Sequence, residues 1–273
     1  MSSSLKKIRN IAIIAHVDHG KTTLVDQLLR KSGTLNQKND SVRVMDSNDI
    51  EKERGITILS KNTAIKWKDY HINIIDTPGH ADFGGEVERV LSMVDAVLLV
   101  VDAVEGPMPQ TKFVTEKAFA AGLVPIVVIN KIDRPESRPD WVIDQLFDLF
   151  DRLGANEQQL DFPVVYSSAT KGLSGMSPDS LVENMDSLFE MIVEKVSPPK
   201  AELDKPFQMQ VTSLEYSSFV GAIAVGRIMR GSITTNTQVK VVDKDDNIRQ
   251  ERVLQIFGFL GLDKQEKLSL IHI

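Results

Sequence analysis

The sequence contains no cysteine among its 273 residues, which excludes disulfide bonds, thiolate catalysis, iron–sulfur clusters and thiolate zinc sites. Any metal must therefore be bound through oxygen or imidazole nitrogen. Long apolar runs are also missing, and none reaches the roughly 18 residues that a membrane-spanning helix needs. The apolar run 11–15 is too short for a signal peptide and leads directly into His16. These absences predict a cytoplasmic protein with no membrane partner.

Positive charge is in short supply, since 32 Lys and Arg stand against 38 Asp and Glu, a net charge of −6. Lys and Arg neutralise phosphates in most nucleic-acid complexes, so this balance argues against such a partner. From Pro206 onward, however, 8 basic residues face 7 acidic ones. The acidity therefore belongs to the first part of the chain, and an RNA partner for the whole is not excluded.

Short apolar runs alternate with helical patterns up to about residue 196, which predicts a mostly parallel sheet with helices on both faces. A polar stretch from Gly33 to Ile56 is longer than ordinary loops and is interpreted as functional. The predicted strands are 11–15, 72–76, 96–102, 124–130 and 163–167, with 63–67 at an edge, and the predicted helices are 21–31, 85–93, 110–121, 139–153 and one near 188–196.

The pattern changes after a proline-containing segment, 198–206, which is interpreted as a linker. It separates a predicted α/β domain, residues 1–197, from a region 207–273 in which strand patterns dominate. The strands predicted there are 207–214, 220–228, 238–242 and 252–257. We expect this second region to form a small β-barrel.

The segment AHVDHGKT, residues 15–22, follows a predicted strand and opens a predicted helix, as a phosphate-binding loop does. Backbone N–H groups and the helix N-terminus surround a polyphosphate in such loops. Lys21 is predicted to contact the β and γ phosphates, and the Thr22 hydroxyl to bind Mg²⁺. The loop residues predicted to contact the nucleotide are Asp18, His19, Gly20, Lys21, Thr22 and Thr23.

The sequence Asn-Lys-Ile-Asp at 130–133 ends another buried strand. The Asp133 carboxylate only accepts hydrogen bonds, which matches the N1–H and N2–H₂ donors of guanine and mismatches adenine. The Asn130 amide is expected to join this loop to the phosphate loop, and the Lys131 stem to lie over the base. The residues predicted to contact the base are Asn130, Lys131, Asp133, Ser168 and Ala169. An adenine-nucleotide kinase or ATPase is therefore disfavoured.

Four further residues are predicted to lie near the phosphates. Asp76 ends a buried strand beside the phosphate loop and is expected to support Mg²⁺, with Gly79 close to the nucleotide. Thr57 ends the long polar loop and is expected to close over Mg²⁺ and the γ-phosphate. His80 follows Gly79 directly, where a side chain orients the attacking water. Together these motifs predict an α/β P-loop GTPase domain that uses GTP, GDP and Mg²⁺.

Longer segments reach beyond these generic motifs: RNIAIIAHVDHGKTTLVDQLL, MDSNDIEKERGITILSKNTAI, DTPGHADFGGEVERV, GPMPQTKFV, NKIDRPESRPDWV and DFPVVYSSA. On these segments the chain, from Ile8 to about Leu262, resembles the TypA/BipA family of ribosome-associated translational GTPases. The related LepA branch shares the first of them but is less similar through DFGGEVERV and RPDWV. A LepA-like GTPase is the alternative.

The resemblance implies a monomeric, cytoplasmic GTPase switch that binds the 70S ribosome or its large subunit. It also implies a role in large-subunit assembly and in growth under stress or cold. By the same resemblance, Val17 and Ile56 form an apolar gate beside His80, and Asp18 helps to hold a monovalent cation. A nucleotide-dependent ribosome-binding scaffold with negligible turnover is the alternative from another class.

The resemblance also bears on the second region. Family members continue well beyond this length, so the barrel is expected to be incomplete. The ending KLSLIHI departs from the family and suggests a truncated or misread reading frame from about Lys267 onward.

Overall fold

The computed structural model of the chain describes residues 5–34, 60–77, 84–200 and 202–270. Within these ranges a seven-stranded sheet has the spatial order β2-β3-β1-β4-β5-β6-β7. The inner strands β3, β1, β4, β5 and β6 run parallel, and β2 and β7 lie antiparallel at the two edges. The strands are β1 (Ile8–Ala15), β2 (Lys61–Trp67), β3 (Tyr70–Asp76), β4 (Ala96–Asp102), β5 (Val124–Asn130), β6 (Val164–Ser168) and β7 (Leu173–Gly175).

Helices cover both faces of this sheet, so the predicted α/β class is confirmed. The described helices are α1 (Lys21–Lys31), α2 (Gly84–Leu91), α3 (Pro109–Ala120), α4 (Pro139–Arg152), α5 (Glu157–Leu160) and α6 (Asp186–Lys195). Ile11 and Ile13 of β1 pack with α1 and α6, whereas Ala12 and Ile14 pack with α2, α3 and α4. Strands buried on both faces give the continuous apolar runs seen in the sequence. None of the described helices is long and apolar enough to cross a membrane.

Local signals explain where these helices begin and end. Pro139 occupies the first position of α4, where its missing N–H costs nothing, and Val142, Leu146 and Phe150 are fully buried along one face. Gly122 follows α3 with φ 72°, and its N–H donates to the Phe119 carbonyl at 2.9 Å. Many helices end with a residue in this left-handed conformation, and that residue is usually glycine because glycine adopts the conformation without strain.

Beyond the linker the described chain consists of strands, which pair antiparallel as β8 with β9, β10 with β15, β11 with β12 and β13 with β14. Ile228, Ile233 and Ile256 form their small buried core. These strands are β8 (Gln208–Ser217), β9 (Gly221–Arg230), β10 (Ile233–Thr234), β11 (Gln238–Val242), β12 (Ile248–Arg252), β13 (Ile256–Leu260), β14 (Asp263–Lys267) and β15 (Ser269–Leu270). The domain limits drawn from the sequence stay predictions.

The prediction of a single strand at 252–257 is wrong, because β12 ends at Arg252 and β13 begins only at Ile256. Val253 donates its N–H to the Thr237 carbonyl at 3.0 Å and accepts the Asn236 N–H at 2.7 Å. The backbone groups of Val253 thus bond to a turn and not to a neighbouring strand. The apolar residues around the break conceal it in the sequence, and the polar, exposed strand β12 gives no alternating pattern to detect.

Two sets of contacts join the strand region to the sheet. At the edge strand β2, Ala64 and Gly261 exchange backbone hydrogen bonds of 3.2 and 2.6 Å. At the amino end of β4, the Arg227 guanidinium lies 2.7 Å from Asp95, whose other carboxylate oxygen accepts a 2.8 Å bond from the Asn10 amide. Arg227 and Asn10 are both buried, so each donates a shielded hydrogen bond to the carboxylate that they share.

Candidate nucleotide site

The predicted site residues follow strands whose carboxyl ends lie at one edge of the sheet. Strand β1 is central here, because β3 and β4 flank it on opposite sides and the order of strands reverses at this point. In open α/β sheets the ligand crevice forms outside the carboxyl ends of the strands at such a reversal. The phosphate loop follows β1, Asp76 ends β3, Asn130 ends β5, and Ser168 ends β6.

Gly20 closes the phosphate loop in a conformation that few other residues adopt. Its φ is 90°, and an added Cβ would overlap Nδ2 of Asn130. The Gly20 carbonyl accepts the Leu24 N–H at 2.9 Å, which starts α1 immediately after the loop. Asp18 is also left-handed, with φ 63°. The loop therefore packs its backbone against Asn130 at a position where only glycine fits.

Lys21 and Asp76 lie together beneath this loop. Lys21 Nζ is 2.7 Å from Asp76 Oδ1 and also donates to the Thr77 carbonyl. Both side chains are nearly buried, with 9% and 2% of their surface exposed. The lysine is therefore held in place by a carboxylate and a carbonyl from the end of β3.

The donors near Lys21 suit a hard cation. Thr22, in the first turn of α1, is partly exposed, and its hydroxyl and the Asp76 carboxylate are oxygen donors of the kind that Mg²⁺ prefers. Within the described ranges no group of three or more His, Asp or Glu forms a metal site. Mg²⁺ typically keeps water and phosphate ligands and needs only one or two protein donors. When bound, it neutralises charge on the phosphates, and Thr22 and Asp76 would hold it.

Asn130 connects three loops through one side chain. Its Nδ2 donates to the His19 carbonyl at 2.9 Å, and its Oδ1 accepts the Ala169 N–H at 3.0 Å. The Asn130 side chain is buried, so both bonds are shielded from water. The phosphate loop, the loop after β5 and the loop after β6 are thereby fixed relative to one another. Contacts of these residues with a nucleotide stay predictions.

The Asp133 carboxylate remains partly exposed beside Lys171, whose Nζ lies 3.1 Å away. Burial alone would raise the pKa of Asp133, but hydrogen bonds from Ser168 and Lys171 outweigh it and lower the pKa below its usual value. The group is therefore an ionised acceptor at neutral pH. That is the state in which it accepts two N–H donors of a base.

Sequence reasoning missed Asp102 and the internal role of His19. Asp102 ends β4, is fully buried, and lies 2.7 Å from Lys131 Nζ. The His19 ring is also fully buried, and its Nδ1 accepts the Asp102 N–H at 3.3 Å while Nε2 lies 3.4 Å from Glu105. One signal was available, because Asp102 ends a buried strand as Asp76 does.

The pKa of two histidines predicts how stability depends on pH. Burial, and next the neighbouring His16, lowers the pKa of His19, and burial also lowers the pKa of His71. An unfolded histidine titrates near pH 6.5, so below that pH the unfolded chain binds more protons than the folded one. We expect the free energy of unfolding, measured by urea denaturation, to fall as the pH drops from 7 to 5.

A His71→Gln variant should show a shallower dependence over the same range, since it removes one of the two titrating groups. A free energy of unfolding that stayed constant or rose on acidification would contradict this prediction.

Four other residues singled out in the sequence lie outside the described residues: Ile56, Thr57, Gly79 and His80. Their proposed roles rest on the sequence. Val17 and Asp18 are described, and the Val17 N–H donates to Gln110 at 3.3 Å.

Solved structures share the fold over nearly the whole chain. A bacterial selenocysteine-specific elongation factor, EF-Sec, has a TM-score of 0.72 at 23% identity, covering 97% of this chain and 40% of that one. A protein from Thermus thermophilus has a TM-score of 0.71 at 18% identity, covering 97% and 51%. At these identities the likeness concerns the fold alone.

Curated relatives are much more similar in sequence. The large ribosomal subunit assembly factor BipA of Haemophilus influenzae is 65% identical over 265 residues, and that of Escherichia coli K12 is 62% identical over 263. Each alignment covers 96% of this chain and 43% of the relative, so the chain spans less than half their length. The resemblance to TypA/BipA is thus confirmed.

Residues 6–198 match the model of the elongation factor Tu GTP binding domain. The chain therefore belongs to the family defined by the elongation factor Tu GTP binding domain.

Proposed function

We propose that this chain is a ribosome-associated, Mg²⁺-dependent GTPase that acts as a switch in assembly of the large ribosomal subunit or in translation under stress or cold. The observation that carries the proposal is the link between three loops at one edge of the sheet. Asn130 bonds to His19 and Ala169 there, beside the pair of Lys21 and Asp76. The names of the relatives support the ribosomal role.

Each residue has a part in hydrolysis of GTP by water to GDP and phosphate. Lys21 binds the β and γ phosphates through its ammonium, which Asp76 and the Thr77 carbonyl already orient. Thr22, Asp76 and Thr57 hold the metal, and Thr57 also closes over the γ-phosphate. Asp18, His19, Gly20 and Thr23 complete the phosphate loop, with Gly79 beside it.

The base is selected at the opposite end of the site. Asp133 accepts the N1–H and N2–H₂ donors of guanine, the Lys131 stem covers the base, and the backbone of Ser168 and Ala169 faces O6. His80 orients the attacking water between the apolar side chains of Val17 and Ile56, and Asp18 helps to hold a monovalent cation. The chain acts in the cytoplasm as a monomer.

Phosphate release from GTP, measured with the full chain alone and with 70S ribosomes or isolated large subunits, tests the proposal. We expect slow release alone and many turnovers with ribosomes, because GTPases of this kind depend on an activating partner. ATP in place of GTP is the matched control and should give no release above background. At most one turnover with ribosomes would favour the scaffold function, and equal use of ATP would overturn the guanine site.

A further inference from the structure

Asp102 lies beside both the phosphate loop and the loop after β5, but it has no part in the function proposed above. It ends β4, is fully buried, and its Oδ1 accepts the Val104 N–H at 2.8 Å. Its Oδ2 lies 2.7 Å from Lys131 Nζ and 3.3 Å from the Arg134 guanidinium. Both cations come from the loop after β5, which also carries Asp133. The buried carboxylate at the end of β4 thus holds the loop that follows β5.

Lys131 is the point where these loops meet. Its backbone is left-handed, with φ 61°, and its ammonium both pairs with Asp102 and donates to the Asp18 carbonyl of the phosphate loop. Two acceptors on two other segments therefore fix the end of the lysine stem. A free lysine stem loses rotamer entropy when it packs against a ligand, whereas a stem that is already held in place has lost that entropy before the ligand binds.

The electrostatics support this arrangement. Burial alone would raise the pKa of Asp102, but hydrogen bonds from Lys131 and from backbone N–H groups lower it below its usual value. The carboxylate is therefore ionised at neutral pH. A buried ion is tolerated only when it is paired and hydrogen-bonded, and Lys131, with 17% of its side chain exposed, is the less solvated of its two cations.

We propose that Asp102 is a positioning residue for the guanine nucleotide. It holds the Lys131 stem in place before the base binds and thereby slows release of the nucleotide. The inference rests on the proposed function, since it assigns Lys131 to the face of the base. Asp102 itself does not contact the nucleotide. Its loss should speed release of the nucleotide while leaving the choice of base, which belongs to Asp133, intact.

A double-mutant cycle on the full chain tests this role. Asp102→Asn and Lys131→Met, which keeps an apolar stem without the ammonium, are compared with the double variant by the release rate of a fluorescent GDP derivative. We expect each single change to raise the rate about tenfold, the equivalent of one charge-assisted hydrogen bond. The double variant should release no faster than Lys131→Met, because Asp102 acts through the Lys131 ammonium, which that variant already lacks.

Arg134→Gln is the matched control, since it removes the other cation from the same carboxylate. Its release rate should change less than twofold. If Asp102 merely stabilised the fold, Arg134→Gln would speed release as well, and the effects of Asp102→Asn and Lys131→Met would add. Either result, or an unchanged rate in Asp102→Asn, would overturn the proposal.

Two further measurements keep the outcome clear. Should Asp102→Asn fold poorly by circular dichroism, Asp102→Ser repeats the cycle, because a hydroxyl still accepts the Val104 N–H. The ratio of GDP to ADP affinity should remain the same in Asp102→Asn as in the unmodified chain. An unmodified chain that bound ADP as well as GDP would instead overturn the proposed function.

Discussion

Replacing Asp133 with Asn is expected to weaken GDP binding at least about 10²-fold and to favour xanthine nucleotides instead. The amide keeps one oxygen that can accept N1–H, but its NH₂ group then faces the N2–H₂ donor of guanine, and the negative charge that strengthened both bonds is lost. Hydrogen bonds to a charged group are each worth about 1.5–3 kcal/mol. Xanthine carries an oxygen at position 2, to which the new amide donates. Sites built around hydrogen bonds discriminate strongly because mismatched polar groups are left unpaired.

The structure indicates that Asp133→Asn should change the hydrogen bonding of the site without disturbing the fold. The Asp133 side chain is 23% exposed and contacts Lys171 at its rim, so an amide of the same size fits without disturbing the core. Isothermal titration calorimetry with GDP and with xanthosine diphosphate measures both affinities. Glu136→Gln, an equivalent change at an exposed position of the same loop, is the control and should leave both unchanged. Unaltered GDP affinity in Asp133→Asn would refute the guanine assignment.

His80→Ala is expected to lower ribosome-stimulated GTP hydrolysis about 10²- to 10⁴-fold, the range typical of a positioned side chain that acts on the attacking group. The position follows Asp-Thr-Pro-Gly at 76–79, where a side chain next to the γ-phosphate reaches the water. GTP affinity should change little, because His80 serves the reaction and not the binding of the nucleotide.

Single-turnover hydrolysis at saturating ribosome concentration isolates this chemical step. His71→Gln is the matched control, since it alters a histidine of β3 outside the proposed site, and its rate should equal that of the unmodified chain. Normal hydrolysis by His80→Ala would remove His80 from the mechanism. A loss of GTP affinity equal to the loss of rate would assign it to binding.

The parts of the site that could be predicted are those carried by short, contiguous motifs. Each motif directly follows a buried strand, and parallel strands bring their carboxyl ends to one edge, so sequence order alone placed Lys21, Asp76 and Asn130 close together. The strands β4 and β5 were predicted with their observed limits, because both faces are buried and their apolar runs end sharply at a polar residue.

The pairing of Asp102 with Lys131 could not be predicted in this way. The two residues are far apart in sequence, and their contact depends on the register between β4 and β5, in which Asp102 stands opposite Asn130. That register brings Lys131, the residue after Asn130, beside the Asp102 carboxylate. The failure at 252–257 has a related cause, because the turn at Asn236 and Thr237 captures the Val253 backbone through contacts that no local pattern records.

The backbone bonds between Ala64 and Gly261 protect the edge strand β2, and they would be lost if the strand region were removed. Strand β2 is an edge of the sheet, and edge strands with unpaired N–H and C=O groups are templates for joining another molecule. Gly261 covers the middle of that edge, and Thr63 adds a 2.6 Å bond to its carbonyl. The strand region thus shields the nucleotide domain from intermolecular sheet formation, and removing it would leave a protein prone to aggregate.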